Sequence, residues 1–177
     1  MPRIPYKPID IAKPKDIVDA IRLRRGGNLL NLDRMLLHSP AFAKGWNALL
    51  LEVRTGLGLS PKLREIAMCV VAVLNGADYE FHHHAPELIK AGGTSAQVAA
   101  LRHPELLNHD TALFDAAERA AIQLTIEMTR NMQVSDTTFS AIRTALSNEQ
   151  HVVELVGVVA TYNMVSRFLV ALGVEPE

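Results

Sequence analysis

The stretch Leu63 to Gly93, LREIAMCVVAVLNGADYEFHHHAPELIKAGG, decides the fold. Its first half carries the longest nearly unbroken apolar run of the chain, Ile66 to Leu74, about half of the roughly 20 residues a helix needs to cross a bilayer. A run of that length, ended by Gly76, reads as a helix buried inside a folded domain. Its second half, Tyr79 to Ala91, is another helix, closed by Gly92 and Gly93. The turn between them, near Gly76 to Asp78, is short enough to make the pair antiparallel.

Helical signals continue outward in both directions. Ser60 and Pro61 start the apolar helix, the hydroxyl as a cap and the proline fixing the first turn. Upstream, Ala41 to Thr55 brings Phe42, Trp46, Leu49, Leu50 and Val53 to one face, with Trp46 a core or interface anchor. Leucines recur at helical spacing over Asn28 to His38, and KDIVDAIRLRR after Pro14 is a short amphipathic helix stopped by Gly26 and Gly27. Downstream, Thr94 with Gln97 forms a capping box for a helix through Leu101. Further helices are expected over Leu113 to Asn131, from a cap at Ser135 or Asp136 through Leu146, and from a Ser147 and Gln150 capping box through Leu172, with Gly173 as its stop.

No window alternates apolar and polar residues between strand-like bounds, so the chain is expected to be all-α, with about nine helices. Prolines at 2, 5, 8 and 14 deny regular structure to residues 1–13, which should lie extended on a surface or on a neighbouring subunit. Residues 14–177 then form a single domain. A faint echo links VVAVLN at 70–75 to VVATYN at 158–163, apolar residues leading to an asparagine in each half.

Composition narrows the function. Of 177 residues, 49% are hydrophobic and 21% charged, with 18 basic against 19 acidic side chains, which offers no field for nucleic acid or an anionic membrane. Small molecules and other protein chains are the expected partners. One cysteine, Cys69, excludes an intramolecular disulfide and suits a reducing cytoplasm. The amino terminus has no apolar signal core.

Glu80 and His84, four apart on one helix, share a face, where the carboxylate can orient the ring and raise its proton affinity. Glu65 opens the preceding helix and can approach His84 from the facing limb, giving a Glu, His, Glu proton relay in apolar surroundings. Read as scaffold instead, Glu80 and His84 are a helix-surface pair and Glu65 a first-turn acid suited to the dipole. His82, His83 and His84 point about 100° apart and cannot converge on one ion, and no further ligands are identifiable, so no metal is expected. Cys69, one turn beyond Glu65, reads as a buried, inert thiol that could face the same pocket. Asn163 and Arg167, one turn apart in the last helix, are candidates to bind an anionic substrate or to pair with acids at a subunit contact.

LREIAM, NGADYEFHHH and AGGTSAQVAAL together resemble the carboxymuconolactone decarboxylase family, whose wider superfamily includes the alkylhydroperoxidase D proteins. A looser likeness extends over HSPAFAKGWNALL and the tail from Val152. The resemblance implies an all-α, alkylhydroperoxidase D-like fold assembled as a trimer or hexamer. In the peroxidase branch a glutamate precedes a Cys-x-x-Cys pair and a histidine four residues after the second cysteine. The glutamate and histidine fall on Glu65 and His84, but Ala77 and Glu80 occupy the cysteine positions. Without a thiolate nucleophile or a resolving thiol, disulfide-based peroxidase chemistry loses its parts. Tyr79-Glu80-Phe81 resembles instead the thiol-free, decarboxylase-like branch.

The expectation is therefore a cofactor-free, lyase-type homo-oligomer acting on a small organic acid or lactone. His84 serves as acid, Glu80 as its orienter and Glu65 as proton reservoir. Two alternatives stand beside it: redox activity through Cys69, and a non-catalytic binding or assembly protein on the same scaffold.

Overall fold

A computed structural model describes residues 1–107 and 112–177. Among them are nine α-helices, one 3-10 turn and no strand: α1 (Lys15–Arg24), α2 (Asn31–Leu36), α3 (Pro40–Thr55), α4 (Pro61–Leu74), α5 (Asp78–Lys90), α6 (Ser95–Ala100), the turn Pro104–Leu106, α7 (Ala116–Asn131), α8 (Asp136–Leu146) and α9 (Glu149–Leu172). The all-α expectation holds. The chain divides into two compact units, one of Met1–Leu57 with Leu169–Glu177 and the other Gly58–Phe168.

In the first unit, α3 packs against α1 and α2. Asp33 is fully buried and meets Arg24 at 3.4 Å and Arg25 at 3.0 Å, so its charge is neutralised where water cannot reach it. It also accepts the Leu30 N–H at 3.0 Å, which fixes the start of α2 at Asn31, three residues later than the leucine spacing suggested. Residues 1–13 hold no regular helix and are tied within this unit. Arg3 N–H donates to Leu172 O at 2.9 Å, and Arg34 donates to Lys7 O at 2.6 Å.

The second unit is built on α4, which packs against α5 and α7. From Ile66 to Ala72 every residue of α4 is buried, as a helix apolar on all sides must be. Ile66, Val70, Phe81, Leu88, Leu101, Phe114 and Ile122 form the surrounding core. Gly76 adopts φ +64, which ends α4 and lets the chain reverse into α5 within a few residues.

Several helix starts differ from the sequence-based expectation in instructive ways. Ser60 makes no side-chain cap; instead the Gly58 and Leu59 N–H groups donate to Glu154 at 3.2 and 2.7 Å, so a distant carboxylate holds the approach to α4. α7 begins at Ala116, because Asp115 and Glu118 form a reciprocal capping box. Ser147 closes α8 in a left-handed conformation rather than opening α9, and Asn148 Oδ1 takes the Gln150 N–H at 2.9 Å. Thr94 with Gln97, and Ser135 before α8, cap as expected.

α9 is long and apolar enough to cross a membrane by length and composition alone. Its polar residues nevertheless engage the second unit. Asn163 donates from Nδ2 to Thr129 Oγ1 and Val159 O, both at 3.0 Å, and its Oδ1 accepts from Asn75 at 3.1 Å and Arg167 at 2.8 Å. The two asparagines of the sequence echo thus meet, tying the end of α4 to α9. With both donors and both lone pairs of Asn163 engaged, replacing it with alanine strands several buried partners. Asn163→Ala should cost about 1–3 kcal/mol of unfolding free energy. Urea denaturation with an unchanged m-value and an unchanged midpoint would refute this.

Candidate active site

α4, α5 and α9 bring the titratable cluster together. Because α4 and α5 form a tight hairpin, Glu65 in the second turn of α4 faces His84 on α5, and Glu65 Oε2 lies 2.6 Å from His84 Nδ1. The His84 side chain is 6% exposed and that of Glu65 14%, so the pair is largely withdrawn from water. A carboxylate at Nδ1 makes this nitrogen the donor in the neutral ring and leaves Nε2 as the nitrogen that can accept or release a proton. No described residue pairs with Nε2. The ring stands edge-on to Tyr162, with centroids 4.9 Å apart and planes at 86°.

Glu80 does not orient His84, although the two share a face of α5. It is buried at 2% exposure, its Oε2 accepts a hydrogen bond from Ser166 Oγ, and its Oε1 is buried with no hydrogen-bond partner among the described residues. The Tyr162–His84 and Ser166–Glu80 contacts step one turn along each helix in opposite directions, so α9 runs antiparallel to α5 here. Burial pushes the Glu80 carboxyl up to about 8, against the smaller opposing pull of the Ser166 bond. At neutral pH the side chain predominantly holds its proton.

Cys69, one turn beyond Glu65, is completely buried. Burial, joined by the negative potential of Glu65 and, at the high pH where it is ionised, of Glu80, pushes its thiol far above the ordinary range. A thiol held that firmly in its protonated form is a poor nucleophile. Arg167 is exposed and donates from Nη1 to both Asn163 O and Asn163 Oδ1, while Asn163 is saturated by its structural bonds. The structure therefore joins Glu65 to His84 directly, places Glu80 on Ser166, and makes Asn163 a structural hub. Sequence reasoning missed Ser166. The available signal was its position one turn beyond Tyr162, a hydroxyl in an otherwise apolar helix.

Residues 40–127 match the carboxymuconolactone decarboxylase family. The chain belongs to this family. No curated protein matches the chain in sequence. Among solved structures, an uncharacterized peroxidase-related protein with an alkylhydroperoxidase AhpD core from Ralstonia eutropha JMP134 superposes with a TM-score of 0.84 at 18% identity, over 99% of this chain and 92% of that one. A peroxidase-related protein from Silicibacter sp. TM1040 gives 0.83 at 18% identity over the same shares. A cysteine-to-alanine variant of the debrominase Bmp8, in complex with 2,3,4-tribromopyrrole, gives 0.81 at 15% identity over 98% of this chain and 92% of that one. At these identities the likeness establishes the AhpD-like fold. In this member of the carboxymuconolactone decarboxylase family, Ala77 caps α5 and Glu80 lies one turn inside it, both buried.

Glu80 makes stability pH-dependent in a definite direction. Below its ordinary value of 4.5 both folded and unfolded chains hold the proton; between there and about 8 only the folded chain does, so stability falls as pH rises through that window. Glu80→Gln removes the ionisation while retaining an acceptor for Ser166. Its gain over wild type should grow from negligible near pH 4 to a few kcal/mol by pH 8, at a slope of about 1.4 kcal/mol for each pH unit crossed. Parallel stability curves for the two proteins across that range would contradict it.

Proposed function

We propose that the protein is a cofactor-free, decarboxylase-like lyase in which the Glu65–His84 pair moves protons on a small carboxylated organic acid or lactone. The observation that carries this reading is the buried 2.6 Å contact at His84 Nδ1, with Nε2 left unpaired. That arrangement is an oriented acid-base group rather than a structural tie, which would engage both ring nitrogens. In a decarboxylation the bond to the carboxylate carbon breaks heterolytically, its electron pair passes into a conjugated carbonyl, and the carbon left behind takes a proton. His84 Nε2 supplies it from the imidazolium form. Glu65 steadies the cation, and its partly exposed side chain connects the pair to solvent. In this scheme Glu65 is the orienting residue. Arg167, whose guanidinium has donors beyond Nη1, is the candidate for an anionic substrate group.

Exposed Phe42, Leu49 and Leu51 on α3 and Val153 on α9 support assembly as a homo-oligomer. A cytoplasmic setting accords with one buried thiol. The burial of Cys69 weighs against the redox alternative. The buried pairing of Glu65 with His84 weighs against a scaffold that has lost its chemistry.

Turnover is to be sought as CO2 release across a panel of carboxylated lactones and β-keto acids. Replacing His84 with glutamine should lower kcat by about 100-fold or more with helicity and assembly intact, within the range for general acid–base catalysis. Cys69→Ser should leave that rate unchanged and reveal no thiol-dependent peroxide consumption. Undiminished turnover in the histidine variant would remove the relay.

A further inference from the structure

Glu80 poses a separate question. A buried polar atom without a hydrogen bond is costly, and each one calls for an explanation. Here Ser166 engages one oxygen of the carboxyl of a residue that is 2% exposed and leaves the other, Oε1, with no partner among the described residues. Because the Ser166 hydroxyl donates to Oε2, that oxygen is the carbonyl-like acceptor. The proton of the neutral acid then belongs on Oε1.

We propose that Glu80 is the electrophilic group of the site, its Oε1–H donating a hydrogen bond to the carbonyl oxygen of a carboxylated lactone or keto acid, and that Ser166 is the positioning residue that keeps the proton on Oε1. The assignment rests on the lyase reading above. Geometry favours it: Glu80 and His84 lie one turn apart on the same face of α5, about 5–6 Å between Cβ atoms, which is the span of a short conjugated acid. When CO2 departs, the electron pair left by the broken C–C bond becomes an enolate whose oxygen is held by Glu80 Oε1–H. His84 Nε2 then gives its proton to the enolate carbon and is recharged from solvent past Glu65. Glu80 keeps its proton throughout, so one external proton and one carboxylate yield CO2 and the protonated product.

A neutral acid suits this task better than a carboxylate, which would repel the developing enolate. The raised affinity of Glu80 for its proton, caused by burial, agrees with that role. The charged neighbourhood is consistent as well, since Glu65 is already engaged by His84 and the Cys69 thiol stays protonated.

The test uses the full-length protein, infrared spectroscopy and paraconic acid, a saturated lactone acid that cannot delocalise the charge of decarboxylation. At pH 6.5 the wild type should show a carboxylic-acid carbonyl band that is absent from Glu80→Gln. Paraconate, with binding followed by calorimetry, should shift that band. Ser166→Ala should broaden or displace the band in the free protein and reduce its response to paraconate, whereas Ser166→Thr should restore the response. In kinetics, Glu80→Ala should lose about 100-fold in kcat, as loss of one oxyanion donor does, with Glu80→Gln retaining part of the rate through its amide N–H. If paraconate binds and leaves the band unmoved, or no such band exists, the proposal is overturned while the Glu65–His84 reading stands. If no lactone acid or keto acid binds, the lyase reading falls and takes the proposal with it.

Discussion

Every polar group that enters the apolar space between α4, α5 and α9 has to bring a partner or bear the cost of lacking one, and the arrangement of the second unit follows from how that constraint is met. Glu65 and His84 satisfy each other across the hairpin. Asn75, Asn163 and Thr129 satisfy one another between α4, α7 and α9. Lys62, Gln97 and Glu118 do the same nearby, with Lys62 Nζ 2.6 Å and Gln97 Nε2 3.1 Å from the carboxylate. These buried networks fix helix register more sharply than interchangeable apolar contacts can, because a shift of one residue would strand several groups at once.

Against that background the Nε2 of His84 and the Oε1 of Glu80 share a property: neither is hydrogen-bonded to a described residue. Both belong to side chains on the same face of α5, and the other polar atom of each is firmly held, by Glu65 in one case and Ser166 in the other. Fixing one end of a bifunctional side chain while leaving the other end unpaired is what a preorganised site requires. The group cannot rotate away, and no internal bond has to break before a substrate is met. Asn163 and Asp33 show the opposite pattern. Asn163 has no capacity left, and Asp33 is enclosed by two arginines and a backbone N–H.

Much of the fold could be read from residue order because it depends on local rules. The all-round apolarity of Ile66–Leu74 demanded a buried helix, Gly76 demanded a stop, and the Thr94–Gln97 pattern demanded a cap. What escaped the reading depends on residues far apart in the chain. The carboxylate of Glu154 replaces Ser60 as the anchor at the start of α4, a substitution that no local window contains. The pairing of the site was half legible for the same reason. Helical spacing put Glu80 and His84 on one face and the hairpin let Glu65 approach, but the choice of partner turned on Ser166, 86 residues from Glu80. Spacing says which groups can meet; it does not say which competitor for a hydrogen bond arrives from another helix.

The exchange of partners alters the chemistry. Had Glu80 oriented His84, two carboxylates would have flanked one ring and the site would have carried excess negative charge, poorly matched to an anionic substrate. With Ser166 occupying Glu80, the buried carboxyl is held apart from the imidazole and retains its proton, so the cluster reduces to one hydrogen-bonded carboxyl–imidazole pair and one neutral acid. Glu80 also stands at a position where the peroxidase pattern has a cysteine. A thiol there would be useful as an anion; an acid in the same dry place is useful because it is not one. The same burial that pushes a carboxyl up would also push up a thiol, so a cysteine at this depth would need a cation close by to be activated. Among the described residues no lysine or arginine is hydrogen-bonded to the Glu80 carboxyl, whose one hydrogen bond there comes from Ser166. The helical frame of the family is thus kept, while the dryness of this position favours a group that works in its protonated form.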